Sequence, residues 1–229
     1  MCMLQKIRNL NIDRRYPLSI LAATALIVVL DLMIVPIFRN QNLWGSYREA
    51  AVSHIIVGDI AFALGAGLVG LLVVSHLGLP IWWSHNDEHS SQISLIVIVL
   101  GASLVLINLI MYMTNLDQLA SCSFLTMFAP KTAIALSLRA ALTEEIFLRL
   151  FLFPAIAWVV MHFLKRELSL IIGGVVSSVY FGLIHPGFFL AFFVGLALVY
   201  IYYYKGLLPA MIVHFLADAA PFVYLAVIM

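Results

Sequence analysis

Long apolar runs separated by short polar connections occupy the chain from Pro17 onward. The first, residues 17–38, reaches the roughly 20 residues that a membrane-spanning helix needs. It exceeds the apolar stretch of a cleaved signal peptide and is expected to stay as a first helix. The second run, residues 51–79, closes on Pro80-Ile81-Trp82-Trp83, and paired tryptophans suit the boundary between membrane and water. After a polar loop at 84–92 comes a third run at 93–113. A mixed loop at 114–130 leads to a fourth, starting near Lys131 and reaching Pro154, where a kink or break is expected before the helix resumes through 155–164. The fifth run, 169–184, is closed by His185-Pro186-Gly187. The sixth, 188–204, ends in Tyr200, Tyr202, Tyr203 and Tyr204 beside Lys205. A seventh covers 207–219, and the tail beyond Pro221 either finishes it or forms a short eighth helix. No internal repeat or low-complexity segment is visible.

With 64% hydrophobic and 10% charged residues, the chain lies far from the soluble average of about half apolar and about a quarter charged. The reading is an all-α, polytopic transmembrane helix bundle of about seven to eight spans. It forms a single integral-membrane domain over 1–229, with a motif-bearing core at about 131–218 and a basic segment at 1–16. A net charge of +1 carries no nucleic-acid signal. Cys2 and Cys122 show neither metal spacing nor a disulfide framework. With the N-terminus inside, the inner side holds Lys6, Arg8, Arg14, Arg15, Lys165, Arg166 and Lys205, and the outer side only Arg39, Arg48 and Lys131. That asymmetry predicts an integral protein of the cell membrane with a cytoplasmic N-terminus.

Against this apolar background three polar groups stand out, because ionised side chains at membrane depth are costly and usually functional. In the fourth run, Glu145 and Arg149 stand one helical turn apart in the favourable order for an ion pair. Glu144 is rotated by about a hundred degrees from Glu145. Glu145 and Arg149 therefore read as structural, and Glu144 as free to act as a base. Phe181 and His185 are again one turn apart, with the ring placed to pack beneath the imidazole, and His185 sits at a helix end ahead of Pro186. His214 and Asp218 share a face, where the aspartate can orient the ring or both can bind a metal or a reacting oxygen. Each group alone has a bland reading: an ion-pair cluster, an interfacial histidine, a self-satisfied polar pair. Three in succession, all able to move protons or bind a reacting group, favour a hydrolytic site. Asp31, His54, Asp59 and Arg139 either line a cavity or form structural pairs. His85, His89 and His162 read as solvated loop or helix-end residues.

The ordered set Glu144-Glu145-x-x-x-Arg149, Phe181-x-x-x-His185 and His214-x-x-x-Asp218 resembles the signature of the CPBP family of intramembrane proteases. That family joins type II CAAX prenyl endopeptidases with bacteriocin-processing and immunity-related proteins. The resemblance covers residues 131–218; the first three helices match only in being hydrophobic. It implies about eight helices enclosing the site. It also implies that Glu144 activates water, that His185 positions it, and that His214 and position 218 stabilise the oxyanion. In the prenyl-processing members position 218 is asparagine, a donor, whereas Asp218 donates only when protonated. The substrate is then a peptide or lipidated peptide, such as a prenylated CAAX-type or leader-peptide protein, met among membrane lipids. No cofactor is expected, in line with a metal-independent glutamate peptidase. Zinc held by His185, His214 and Asp218 is the alternative. No His-Glu-x-x-His motif occurs, which sets aside the usual zinc-dependent intramembrane protease. Two readings from other classes remain: a catalytically silent scaffold or regulator that keeps the fold, and a proton-coupled transporter, the latter weakened by the lack of inverted repeats.

Overall fold

The computed structural model describes residues 15–40, 52–84, 90–114, 129–185 and 187–228. The basic stretch 1–14, both cysteines, Arg48, His85, His89 and Pro186 lie outside them, as does the side chain of Arg39. The elements are α1 (Arg15–Asn40), α2 (Val52–Leu77), α3 (Ser90–Thr114), α4 (Pro130–Glu145), a π-helical segment (Ile146–Leu152), α5 (Phe153–Val160), α6 (Arg166–Ile184), α7 (Phe188–Lys205) and α8 (Leu207–Ile228). With α4, the π segment and α5 running on without a break, the described residues form seven helices and no strand.

Six of the seven are long and apolar enough to cross a membrane. The exception is the composite α4–π–α5, which carries the acidic pair together with the half-buried Arg139 and the buried Arg149. Its neighbours enclose it: α8 and α1 pack on α4, and α2 packs on the π segment and α5, with α6 against α5 and α7. Large apolar side chains such as Leu95, Ile98, Leu183 and Phe189 point outward. Inside hydrocarbon every backbone group must bond within its own helix, which is why the polar residues are carried on helices rather than loops.

The break expected at Pro154 is corrected, and the alternative left open at Pro221 is decided. Pro154 neither breaks nor ends its helix; it sits in the first turn of α5. Its missing N–H is accommodated by the wider turns ahead of it, where Phe153 N–H bonds the Leu148 carbonyl five residues back. Pro221 is likewise absorbed within α8, which runs to Ile228 without a separate eighth helix.

Backbone contacts set the heights of the helices. A Cβ on Gly70 of α2 would lie 2.5 Å from the Leu150 carbonyl oxygen, inside the π segment. Gly70→Ala is therefore expected to push α2 off that segment and cost about 1–3 kcal/mol. The readout is thermal unfolding in detergent, and an unchanged Tm would show that the approach is not needed. At the other junction, Gly206 (φ +95°) turns α7 into α8. The first N–H groups of α8 are satisfied across the turn: Leu207 by the Ile81 carbonyl at 2.9 Å and Leu208 by Trp82 at 3.0 Å. This seat fixes where α8 begins and so the depth of His214.

Candidate active site

The three polar groups noted along the sequence converge on one place. Glu144 and Glu145 close α4, His185 caps α6 in extended conformation, and His214 and Asp218 lie one turn apart on α8. The two glutamates diverge as their rotation requires. The Glu145 side chain is fully buried, whereas that of Glu144 is 25% exposed.

Each histidine is oriented by a partner at Nδ1. In His185, Nδ1 lies 2.8 Å from the Phe181 carbonyl. A carbonyl only accepts, so Nδ1 carries the hydrogen and Nε2 is turned to Glu144, 3.5 Å from Oε2. In His214, Nδ1 lies 2.9 Å from Glu145 Oε1, and Nε2 stands 3.4 Å from Asp218 Oδ2 and 3.9 Å from Glu144 Oε2. Glu145, not Asp218, therefore makes the closest contact with the His214 ring. The sequence spacing pointed to Asp218 because it shares a helix with His214, whereas Glu145 comes from 69 residues away.

Glu145 also meets the expected partner, with Arg149 Nε 3.4 Å from Oε2. Arg149 is completely buried, reaches the Gly195 carbonyl at 3.3 Å, and lies over the Phe181 ring at 5.1 Å from its centre. Phe181 is the hub of the site. Its ring lies 4.2 Å from that of His185 and 5.6 Å, edge-on, from that of His214. It thus keeps the two imidazoles apart while covering the arginine.

Glu144 Oε2 is shielded from solvent and has no hydrogen-bond partner. At 3.5 Å it is too far from His185 Nε2 for a good direct bond, and both atoms are acceptors in the tautomer just given. Such a pair suits a donor of two protons, and a water molecule is the smallest. Among the described residues, no three His, Cys, Asp or Glu side chains are grouped as metal ligands.

Asn108, not foreseen, and several polar residues noted along the sequence lie around the site. Asn108 of α3 donates to the Ala217 carbonyl at 2.8 Å, pinning α8 beside Asp218. Arg139 of α4 bonds both Asp31 of α1 and Asp59 of α2. These three had been noted only as lining or pairing residues, and they pair. His162 ends its helix and turns back on its own backbone, at the Trp158 carbonyl.

No curated protein and no solved structure matches the chain. One family model does: the Rce1-like family, described as type II CAAX prenyl endopeptidase, matches residues 126–220. That segment holds Glu144, Glu145, Arg149, Phe181, His185, His214 and Asp218, the residues that the fold gathers. The match covers 95 of the chain's 229 residues and makes this segment similar to the Rce1-like endopeptidases; with six helices long and apolar enough to cross a membrane among the described residues, the chain is an integral membrane protein.

Proposed function

We propose that the protein cleaves a peptide bond in a membrane-associated substrate with water activated by Glu144 and His185. The observation that carries this reading is the unpartnered Glu144 Oε2 set 3.5 Å from His185 Nε2. A water donating to both atoms presents its lone pair to a scissile carbonyl. As its oxygen bonds to the carbonyl carbon, one proton passes to Glu144. His214, carrying a proton on Nε2, faces the oxyanion that develops. When the C–N bond breaks, the proton on Glu144 goes to the departing amine, and the second proton of the water passes from the new carboxylic acid to His185 Nε2, leaving a carboxylate and an amine. Asp218, its Oδ2 3.4 Å from His214 Nε2, favours the protonated ring that faces the oxyanion. Glu145 and Phe181 hold the two rings, and Arg149 balances Glu145.

The step is written without a metal in this reading. The substrate is a peptide with or without a lipid anchor. Family resemblance favours a prenylated one, while the acceptor at position 218 favours a broader peptide class. The charge asymmetry of the loops favours a cytoplasmic N-terminus.

The test uses purified protein in detergent with farnesylated and unmodified peptides, read by mass spectrometry with and without a chelator. Cleavage that persists in chelator is expected. Loss of cleavage in chelator, restored by zinc, would overturn the metal-free step, and no cleavage by folded wild type would favour the scaffold reading.

A further inference from the structure

The best-formed ionic cluster outside the site joins α1, α2 and α4. Arg139 Nε donates to Asp31 Oδ1, and Arg139 Nη2 to Asp59 Oδ2. The Asp31 side chain is fully buried, Arg139 is 15% exposed and Asp59 23%. The second Asp31 oxygen is buried with no hydrogen-bond partner, so this carboxylate depends on Arg139 for compensation. Asp31 and Asp59 precede the segment that matches the family, whereas Arg139 lies within it.

We propose that Arg139, gripped by Asp31 and Asp59, is a positioning residue that sets the depth and rotation of the helix carrying Glu144. The inference rests on the peptidase reading above and makes α1 and α2 working parts of the site. Apolar contact alone holds helices weakly in lipid, because lipid tails are as apolar as the side chains they replace. Directional polar ties therefore decide how one helix sits against another. α4 needs such a tie on its N-terminal flank because the π segment begins immediately after Glu145. The wider turns there loosen the register between Glu144 and everything downstream. Downstream, Arg149 is fastened to Glu145 and to the Gly195 carbonyl. Upstream, Arg139 is fastened to two other helices. Between Arg139 and Glu144, Thr143 Oγ1 donates to the Arg139 carbonyl at 2.8 Å and contacts that of Ala140 at 3.2 Å, so its side chain is satisfied within the same helix. Arg139 and Glu144 point about 140° apart around the helix. The grip therefore acts from the side away from the water-activating pair and touches no reacting atom.

The test compares Arg139→Met, Arg139→Lys and a charge-free triple, Asp31→Asn/Asp59→Asn/Arg139→Met, with wild type and with Glu144→Gln. Arg139→Met is expected to lose about 10- to 100-fold in kcat, the scale of a small misplacement of a catalytic group. KM should move by less than about threefold, since no substrate contact is removed. Arg139→Lys should recover part of the rate. The triple leaves no buried charge unpaired and should unfold near the wild-type temperature, yet keep the low kcat. A triple that regains both stability and rate would overturn the proposal and leave the cluster merely structural. A second readout needs no activity: spin labels at the outward-facing Ile134 of α4 and Leu216 of α8, in a Cys2→Ser/Cys122→Ser background. The triple should shift or broaden their distance distribution, and an unchanged distribution would overturn positioning. If folded wild type cuts nothing, the peptidase reading fails by itself, while the spin-label distances still decide whether the grip places α4.

Discussion

Glu144→Gln should lower peptide cleavage by about a thousandfold or more, the upper part of the range for a positioned general base. The protein should stay folded. Glutamine keeps the size of the side chain and one carbonyl oxygen but cannot take a proton from water. Its amide would also place donors where Glu144 Oε2 now faces His185 Nε2 at 3.5 Å and His214 Nε2 at 3.9 Å. A bond from the amide to His185 would fill the gap in which the water is proposed to sit. Stability should change little, because the side chain is 25% exposed and Oε2 has no hydrogen-bond partner to lose. The check is a progress curve by mass spectrometry on matched, monodisperse samples, beside thermal unfolding of both proteins. Cleavage within tenfold of wild type would remove Glu144 from the role of base.

The largest effect on stability is expected from Arg149→Met. Methionine fills much of the same apolar volume, so the loss is electrostatic rather than a cavity. Without the guanidinium, Glu145 becomes a fully buried carboxylate facing only His214, and the Gly195 carbonyl loses a donor. Stripping one partner from a buried pair costs about 3–5 kcal/mol. At this chain length that corresponds to a fall in Tm of roughly 6–20 °C. Arg149→Met/Glu145→Gln should recover most of the stability, since neither charge remains, but not full activity, because His214 then loses its anionic partner at Nδ1. Unfolding followed by circular dichroism in detergent reads both variants. A single variant as stable as wild type would show that Glu145 does not need Arg149.

These two residues differ in how far the sequence alone could define them. The pairing of Glu145 with Arg149 is a one-turn relation on a helix, so residue spacing predicts it, as it does the packing of Phe181 on His185. The partnership of Glu145 with His214 joins α4 to α8 and has no local signature. Nor has the grip of Asp31 and Asp59 on Arg139, and each of these residues read alone is only a polar exception in an apolar run. Pro154 shows the same limit within one helix. Its missing N–H was legible, but whether the chain would break or widen depended on the neighbours. Gly70 lets α2 press close to the Leu150 carbonyl, and α6 packs on the following turn.

What the sequence by itself determined is the membrane class, the approximate positions of the helices, and which helices carry polar residues. Hydrocarbon solvent makes those choices nearly local: an apolar run of sufficient length has to be a helix, and a charge within it has to find a partner. Tertiary structure decided which partner. Glu145 took His214 as well as Arg149, Arg139 took two aspartates, and Glu144 was left with an unpartnered oxygen facing a histidine. Such contacts depend on the relative depth and rotation of helices far apart in the chain. Those are set by backbone approach at Gly70, by the turn at Gly206 and by buried ion pairs, each of which exists only once the helices have come together.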